Sequence, residues 1–217
     1  YIKRHAYGNA VTDDLWREVD QAAPGRQLMQ VAHDFTLQPG VPLIKASAVC
    51  EAGATKVVLE QGEFTVDRPD KTPLRWHVPV SVRGGDGSVV RVLVDGQASA
   101  TLPGCGAPIV VNAGQKGYFR TLYAPAQFLS LRDGYARLPV VDQLGVMLDA
   151  SALAQTGLQP EADLLDLADQ VPLDASPDLW QLVAGVLGGI DDMFKGQPER
   201  QAAFRKYALS RLSPKFE

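Results

Sequence analysis

Apolar and polar positions along this chain follow three successive rhythms. Up to about residue 40 the period is helical. Leu15, Trp16 and Val19 recur at helical spacing, Thr12 stands where a cap would, and Asp13 and Asp14 put carboxylates in the first turn, where the helix dipole favours them. Pro24-Gly25 breaks that helix, and Leu28, Val31, Ala32 and Phe35 form a second stripe that Gln38-Pro39-Gly40-Val41-Pro42 ends.

From residue 43 to about 123 the rhythm becomes that of strands. Short runs of Val, Ile, Thr and aromatics predict strands near Leu43–Cys50, Thr55–Gln61, Arg75–Val82, Val89–Val94, Ala98–Thr101, Ile109–Asn112 and Tyr118–Tyr123. Gly84-Gly85-Asp86-Gly87, Asp95-Gly96 and Pro103-Gly104 carry turn chemistry between them, and Asp95-Gly96 is the strongest hairpin signal. Short strands at this spacing point to a β-sandwich.

Past Pro125 the helical period returns. Leu138, Val141, Leu144, Leu148, Ala152 and Leu153 fall on one face; Leu164, Leu165, Leu167 and Ala168 form a second group; Trp180, Val183, Ala184 and Leu187 a third; Phe204, Tyr207, Ala208 and Leu212 a fourth. Pro160, Pro177 and Pro198 stand where a first helical turn tolerates them. The expected fold class is α+β: a short helical segment over residues 1–42, a β-sandwich over 43–124, and a truncated, α-solenoid-like helical array over 125–217. A start at Tyr1 and an end at Glu217 read as the bounds of an excised piece.

Composition narrows the function classes. The formal net charge is -4 with both signs spread along the chain, which argues against a nucleic-acid partner. No apolar run approaches the roughly 20 residues of a membrane-spanning helix, and the opening Tyr1-Ile2-Lys3-Arg4-His5 lacks the apolar core of a signal peptide.

Candidate chemistry is sparse. The three histidines, His5, His33 and His77, have no second histidine within a helical turn, and no His-Glu-x-x-His occurs. His33 reads as a surface or packing residue, and His77, between Trp76 and Val78, as a partner of solvent or a loop. No Gly-x-Ser-x-Gly elbow occurs, and Gly84-Gly85-Asp86-Gly87 lacks the lysine of a phosphate loop. Asp13-Asp14 and Asp191-Asp192 are adjacent carboxylates that a helix points to different faces, so they read as solvated or capping charges. The expected set of catalytic, cofactor-binding and metal-binding residues in this chain is empty.

Cys50 and Cys105 can form one disulfide or remain two free thiols. Cys50 closes the first expected strand and Cys105 lies in the loop before the strand at Ile109, and a sandwich brings such ends together, so we expect a bridge. A bridge implies an oxidising compartment, periplasmic or secreted; two free thiols would fit a cytoplasmic protein.

Ordered motifs add a resemblance. Tyr1-x-x-x-His5-Ala6-Tyr7-Gly8-Asn9-Ala10-x-Thr12-x-Asp14-Leu15-Trp16 resembles a block of the aminopeptidase N family of gluzincin zinc metallopeptidases. Phe35-Thr36-Leu37-Gln38-Pro39-Gly40-Val41-Pro42 follows, with Phe where that family has Trp, then Gln61-Gly62-Glu63-Phe64 and Trp76-His77-Val78-Pro79-Val80. Asn112-Ala113-Gly114-Gln115-Lys116-Gly117-Tyr118-Phe119-Arg120-Thr121-Leu122-Tyr123 and Leu138-Pro139-Val140-Val141-Asp142-Gln143-Leu144 complete the series, with Gln143 where the family has Arg.

The resemblance implies the last helices of a catalytic domain, a β-sandwich domain and the start of a helical domain that covers the active site. The zinc motif and catalytic tyrosine precede this block in the family and match no position here, so no catalytic residue carries over. The implied function is that of a non-catalytic part of a zinc aminopeptidase that releases N-terminal residues from peptides. Its partners would be an upstream catalytic domain and, through exposed N-terminal helices, a second copy. Arg120 reads as a structural ion-pair partner, and Trp16 and Trp76 as packing anchors. The alternative is a stand-alone β-sandwich binding module, which would expose an aromatic patch on one sheet face.

Overall fold

A computed structural model describes residues 1–67 and 72–216. Two helices lead, α1 (Thr12–Ala22) and α2 (Leu28–Thr36). Seven strands follow: β1 (Val41–Glu51), β2 (Ala54–Phe64), β3 (His77–Arg83), β4 (Val89–Asp95), β5 (Gln97–Pro103), β6 (Val110–Val111) and β7 (Arg120–Tyr123). Five helices complete the chain: α3 (Pro125–Gly134), α4 (Val140–Gln155), α5 (Glu161–Asp169), α6 (Pro177–Met193) and α7 (Pro198–Phe216). The architecture is α+β, strands followed by a helical array, and no helix among the described residues is long and apolar enough to cross a membrane.

The strands form one hydrogen-bonded ribbon in the order β6-β3-β4-β5-β2-β1-β7. It doubles back at Gly96. There the Asp95-Gly96 signal makes a chain reversal but not the regular hairpin expected from sequence: only Asp95 and Gln97 pair. Beyond them β4 stays with β3 and β5 with β2, so the arms splay into the two layers of a sandwich. Gly96 has φ 74, and its carbonyl accepts the Gln61 N–H at 2.7 Å, which ties the corner to β2. Alternate residues of each layer face inward: Ile44, Ala46, Val57 and Leu59 from one side, Val78, Val80, Val82 and Val94 from the other. β7 runs parallel to β1, Leu43 beside Arg120 through Ala46 beside Tyr123.

Local chemistry explains where elements start and stop. Val11, not Thr12, caps α1; the Asp14 carboxylate reaches back to accept the Val11 N–H at 3.0 Å, and Thr12 is already helical. Strand β3 starts at His77 because side chains bind the backbone of Arg75 and Trp76 before the ladder does. β6 ends at Val111 because Asn112 turns to φ 61. Tyr118 and Phe119 precede β7 rather than joining it; Phe119 is buried and Tyr118 exposed.

The apolar face expected on α4 is also corrected. Val141 and Leu148 of that stripe are exposed, while the buried residues include Asp142, Gln143, Gly145 and Asp149. The reason is that α4 contacts β7, α5 and α6, so it is enclosed on several sides and its buried polar groups are all paired. Helix α3, a separate element ahead of the Leu138 stripe, buries Phe128, Leu131 and Gly134. One continuous apolar core runs from Ile44 in the sandwich through Met147 on α4 to Trp180 and Ile190 on α6.

Cys50 and Cys105 are joined in the structure, with Cα atoms 5.5 Å apart. In contrast to the core, α1 buries no residue completely, and Ile2, Tyr7, Val11, Leu15, Val19 and Leu37 are exposed around it. Elements with few buried contacts open at low free-energy cost. We therefore expect amides of Asp13–Phe35 to exchange with deuterium faster than those of His77–Arg83. Equal protection of the two segments would contradict this.

Candidate functional site

The described residues contain no grouping of three His, Cys, Asp or Glu side chains that could hold a metal ion. Each histidine is instead matched to a carboxylate. His33 Nε2 lies 2.8 Å from Asp13 Oδ1, and His5 Nδ1 4.0 Å from Asp14. His77 faces a helix rather than a loop: its Nδ1 lies 2.7 Å from Asp34 Oδ2, the same oxygen accepts the His77 N–H at 2.6 Å, and Asp95 stands 3.7 Å from Nε2. Partial burial pulls the Asp34 carboxyl upward, but the bonds from His77 and Gln30 outweigh it and hold the group below the usual carboxylate range. Asp13 and Asp14 thus have separate partners, as do Asp191, clasped by Arg205 at 2.8 and 2.9 Å, and Asp192, paired with Lys195.

A cleft of about 550 Å³ opens between β1, α3 and the start of α5, and is lined by Lys45, Glu60, Phe128, Leu129, Gln159 and Asp163 among others. No histidine or cysteine lines it.

The residues of the ordered motifs converge on two structural joints. The first fastens the leading segment to the sandwich. Gln61 reads both faces of the chain before β3: its Nε2 donates to Leu74 O at 3.0 Å and its Oε1 accepts the Trp76 N–H at 3.1 Å. Glu63 accepts the Leu74 N–H at 2.8 Å, and Gln38 donates to Arg75 O at 2.7 Å. Gly40, at φ 109, fits between the Glu63 carboxylate and the Trp76 ring, where a Cβ would come within 2.8 Å and 3.2 Å of them. Trp76 itself is completely enclosed.

The second joint is the seam between the sandwich and the helices. One face of α4 carries Asp142, Gly145 and Asp149 at positions i, i+3 and i+7. Asp142, wholly buried, pairs with Arg83 at the end of β3 and accepts the Gly114 N–H at 2.7 Å. Gly145 leaves room for the Gln115 amide, which a Cβ there would overlap. Asp149 accepts from Arg120 Nη1 at 3.1 Å and from the Thr121 N–H at 3.0 Å, covering the outer edge of β7. The loop between β6 and β7 is shaped for this contact: Asn112 Oδ1 accepts the Gly117 N–H at 2.8 Å while its amide donates to Gly117 O at 3.0 Å.

Arg120 is thus an ion-pair partner, with its guanidinium 5.9 Å from the centre of the Phe64 ring. Gln143, in place of arginine, donates to Tyr135 O at 3.0 Å, and its own carbonyl accepts from the Tyr135 hydroxyl at 2.7 Å. Desolvation raises the Tyr135 hydroxyl well above its ordinary range, and the buried Tyr123 hydroxyl, which accepts the Val111 N–H at 2.8 Å, is raised for the same reason. Asp149 and Gly145 escape a purely apolar reading of α4. Their signal is the polar and small residues spaced along one helix face.

Two outcomes test these joints. Burial pushes the Asp149 carboxyl up to about 6, against the opposing pull of Arg120. A raised carboxyl binds its proton more tightly folded than unfolded, so stability falls as pH rises from about 4 to about 6. Asp149→Asn removes that proton and flattens the dependence by on the order of 2 kcal/mol, read from urea midpoints across this window. An unchanged slope contradicts the assignment. Gly40→Ala introduces both a strained φ and a clash with Glu63 and Trp76, and lowers unfolding free energy by about 1–3 kcal/mol. A neutral substitution would show that the joint is loose.

The ERAP1-like C-terminal domain model matches residues 108–217, which include β6, β7 and all five trailing helices. Puromycin-sensitive aminopeptidase of Caenorhabditis elegans is 31% identical over 177 residues, 77% of this chain and 19% of that protein. Glutamyl aminopeptidase of Bitis rhinoceros is 25% identical over 225 residues, 99% of this chain and 23% of the relative. Aminopeptidase N of Lactococcus lactis subsp. cremoris (strain MG1363) is 25% identical over 171 residues, 77% and 20% of the two chains. The chain therefore spans about a fifth of the length of these curated relatives. With more than half its length matched, this chain belongs to the ERAP1-like C-terminal domain family.

Proposed function

We propose that this chain is the non-catalytic portion of a zinc-dependent aminopeptidase, supplying a β-sandwich and part of the helical cover of an active site held elsewhere. The single observation that carries this reading is the placement of the motifs. Gln61 and Trp76 of those motifs act where the leading segment meets the sandwich, and Gly114, Arg120, Thr121 and Asp142 where the sandwich meets α4. The relatives are aminopeptidases more than four times the length of this chain, which leaves room in such a protein for a zinc-bearing domain.

In such an enzyme a zinc ion held by the other domain would supply the Lewis-acid chemistry by which the N-terminal residue of a peptide is released. In this reading residues 1–42 belong to the end of the catalytic domain, 43–124 form the sandwich domain, and 125–217 begin the helical domain. The surface of the leading segment fits that division. Of the exposed large apolar side chains, seven lie among residues 1–37 (Tyr1, Ile2, Tyr7, Val11, Leu15, Val19 and Leu37) but only four among the strands and their loops (Val49, Val66, Val89 and Tyr118). A stand-alone binding module would concentrate aromatics on a sheet face, whereas among the described residues of the strands and their loops Tyr118 is the one exposed aromatic. In this reading the exposed apolar side chains of residues 1–37 would be covered by the catalytic domain or, in its absence, by a second copy. The Cys50–Cys105 bridge favours a periplasmic or secreted location over the cytoplasm.

The isolated chain is expected to hold no stoichiometric zinc and to hydrolyse neither Ala- nor Leu-anilides, measured by atomic absorption and by chromogenic release. One equivalent of chelator-sensitive zinc with turnover would overturn the reading. In sedimentation, the chain is expected to self-associate, and Leu15→Ser with Val19→Ser to shift it towards monomer. A strict monomer before substitution would remove the apolar-face part of the account.

A further inference from the structure

The bridge between Cys50 and Cys105 lies on the surface, with both residues exposed. Its place in the ladder is unusual. Cys50 is paired with Thr55 across the β1–β2 turn, and Thr55 is paired in turn with Leu102 on β5. The bridge therefore closes across three strands that already hold one another, and it skips over β2. Thr55 also fixes the loop that carries the second cysteine, its hydroxyl donating to Gly104 O at 2.7 Å. Below that loop Ala107 rests on Gly85 and Pro108 on Gly134, both at positions where a Cβ would collide, and Ile109 is buried. Between these anchors only Gly104, Cys105 and Gly106 are left to move, and both glycines hold left-handed φ, 74 and 77.

We propose that Cys50 and Cys105 form a reversible thiol–disulfide site that an external dithiol opens, and that the dithiol's disulfide form recloses, while the protein stays folded. One thiolate of the dithiol attacks a bridge sulfur and the Cys50–Cys105 bond breaks. Its second thiol then resolves the mixed disulfide. The dithiol leaves as a disulfide, and two electrons with two protons remain as the thiols of Cys50 and Cys105. Opening frees the Gly104–Gly106 segment, which walls two surface clefts of about 210 and 320 Å³, both also lined by Thr55 and Ala107. The ladder and the Thr55 bond keep the two cysteines facing each other, so closure is a reaction between pre-positioned groups.

The full chain is treated with dithiothreitol without denaturant, its thiols are counted, and its amide exchange is compared with the oxidised form. Two thiols should appear. Exchange should rise at Gly104–Gly106 and stay unchanged in β1, β2 and β5. After transfer to oxidised glutathione, closure should be at least about tenfold faster than in urea, because the folded ladder supplies the proximity. Thr55→Val keeps the strand but removes the hydroxyl, and should slow closure about fivefold, the factor carried by one hydrogen bond of roughly 1 kcal/mol. The double Cys50→Ser, Cys105→Ser variant should show the loop exchange of the reduced form with its strands protected. Thiols that appear only in denaturant, strand protection lost on reduction, or closure as slow folded as unfolded would each overturn the proposal.

Discussion

A wholly buried carboxylate, Asp142, holds the sandwich and the helices together. It is removed from water on the first turn of α4, and burial of an unpaired charge would cost several kcal/mol. Arg83 from β3 and the Gly114 N–H from the loop before β7 satisfy it. Those partners lie in different parts of the chain, so one side chain fixes the angle of α4, the end of β3 and the start of the β6–β7 loop. Asp149, two turns later, repeats the device on β7. Gly145 lies between them and lets Gln115 approach the helix backbone. Well-packed apolar groups could serve stability as well as a buried ion pair does. Their use at this seam is better explained by register: only one placement of α4 satisfies all the groups at once.

A second device of the same kind acts at the other end of the sandwich. There Gln61, Glu63 and Gln38 bind the backbone of Leu74, Arg75 and Trp76, and Trp76 closes the core beneath them. The leading helices attach through polar bonds, including Asp34 to His77, and through Phe35 of α2, which packs against the core. The two joints therefore differ in character. The α4 seam places buried carboxylates against the core, whereas the attachment of α1 and α2 is half-exposed and leaves apolar side chains in water.

Much of this was legible in the residues. Short runs of β-branched and aromatic residues placed all seven strands because such side chains suit a pleated, half-buried surface, and glycine and proline placed most boundaries. The misreadings share one cause: a side chain from elsewhere in the sequence decides the backbone. Gln61 delays β3 to His77, and Asp14 moves the helix cap from Thr12 to Val11. On α4 the apolar rule failed because its partners supply arginines and N–H groups that only the fold brings near. Asn112, Gly117, Gln61 and Gly40 were visible as motif letters, but their work as side-chain-to-backbone clasps was not. A hydrogen bond to a backbone group leaves no complementary residue to look for.

If the α4 seam governs the fold, the sandwich and the helices melt as one body despite their different secondary structure. Differential scanning calorimetry of the intact chain tests this directly. The account predicts a single transition whose calorimetric and van't Hoff enthalpies agree, and a split or broadened transition once Asp142→Asn breaks the pairing. Two resolved transitions in the unsubstituted chain would contradict it, for the sandwich and the helices would then be independent bodies that merely touch.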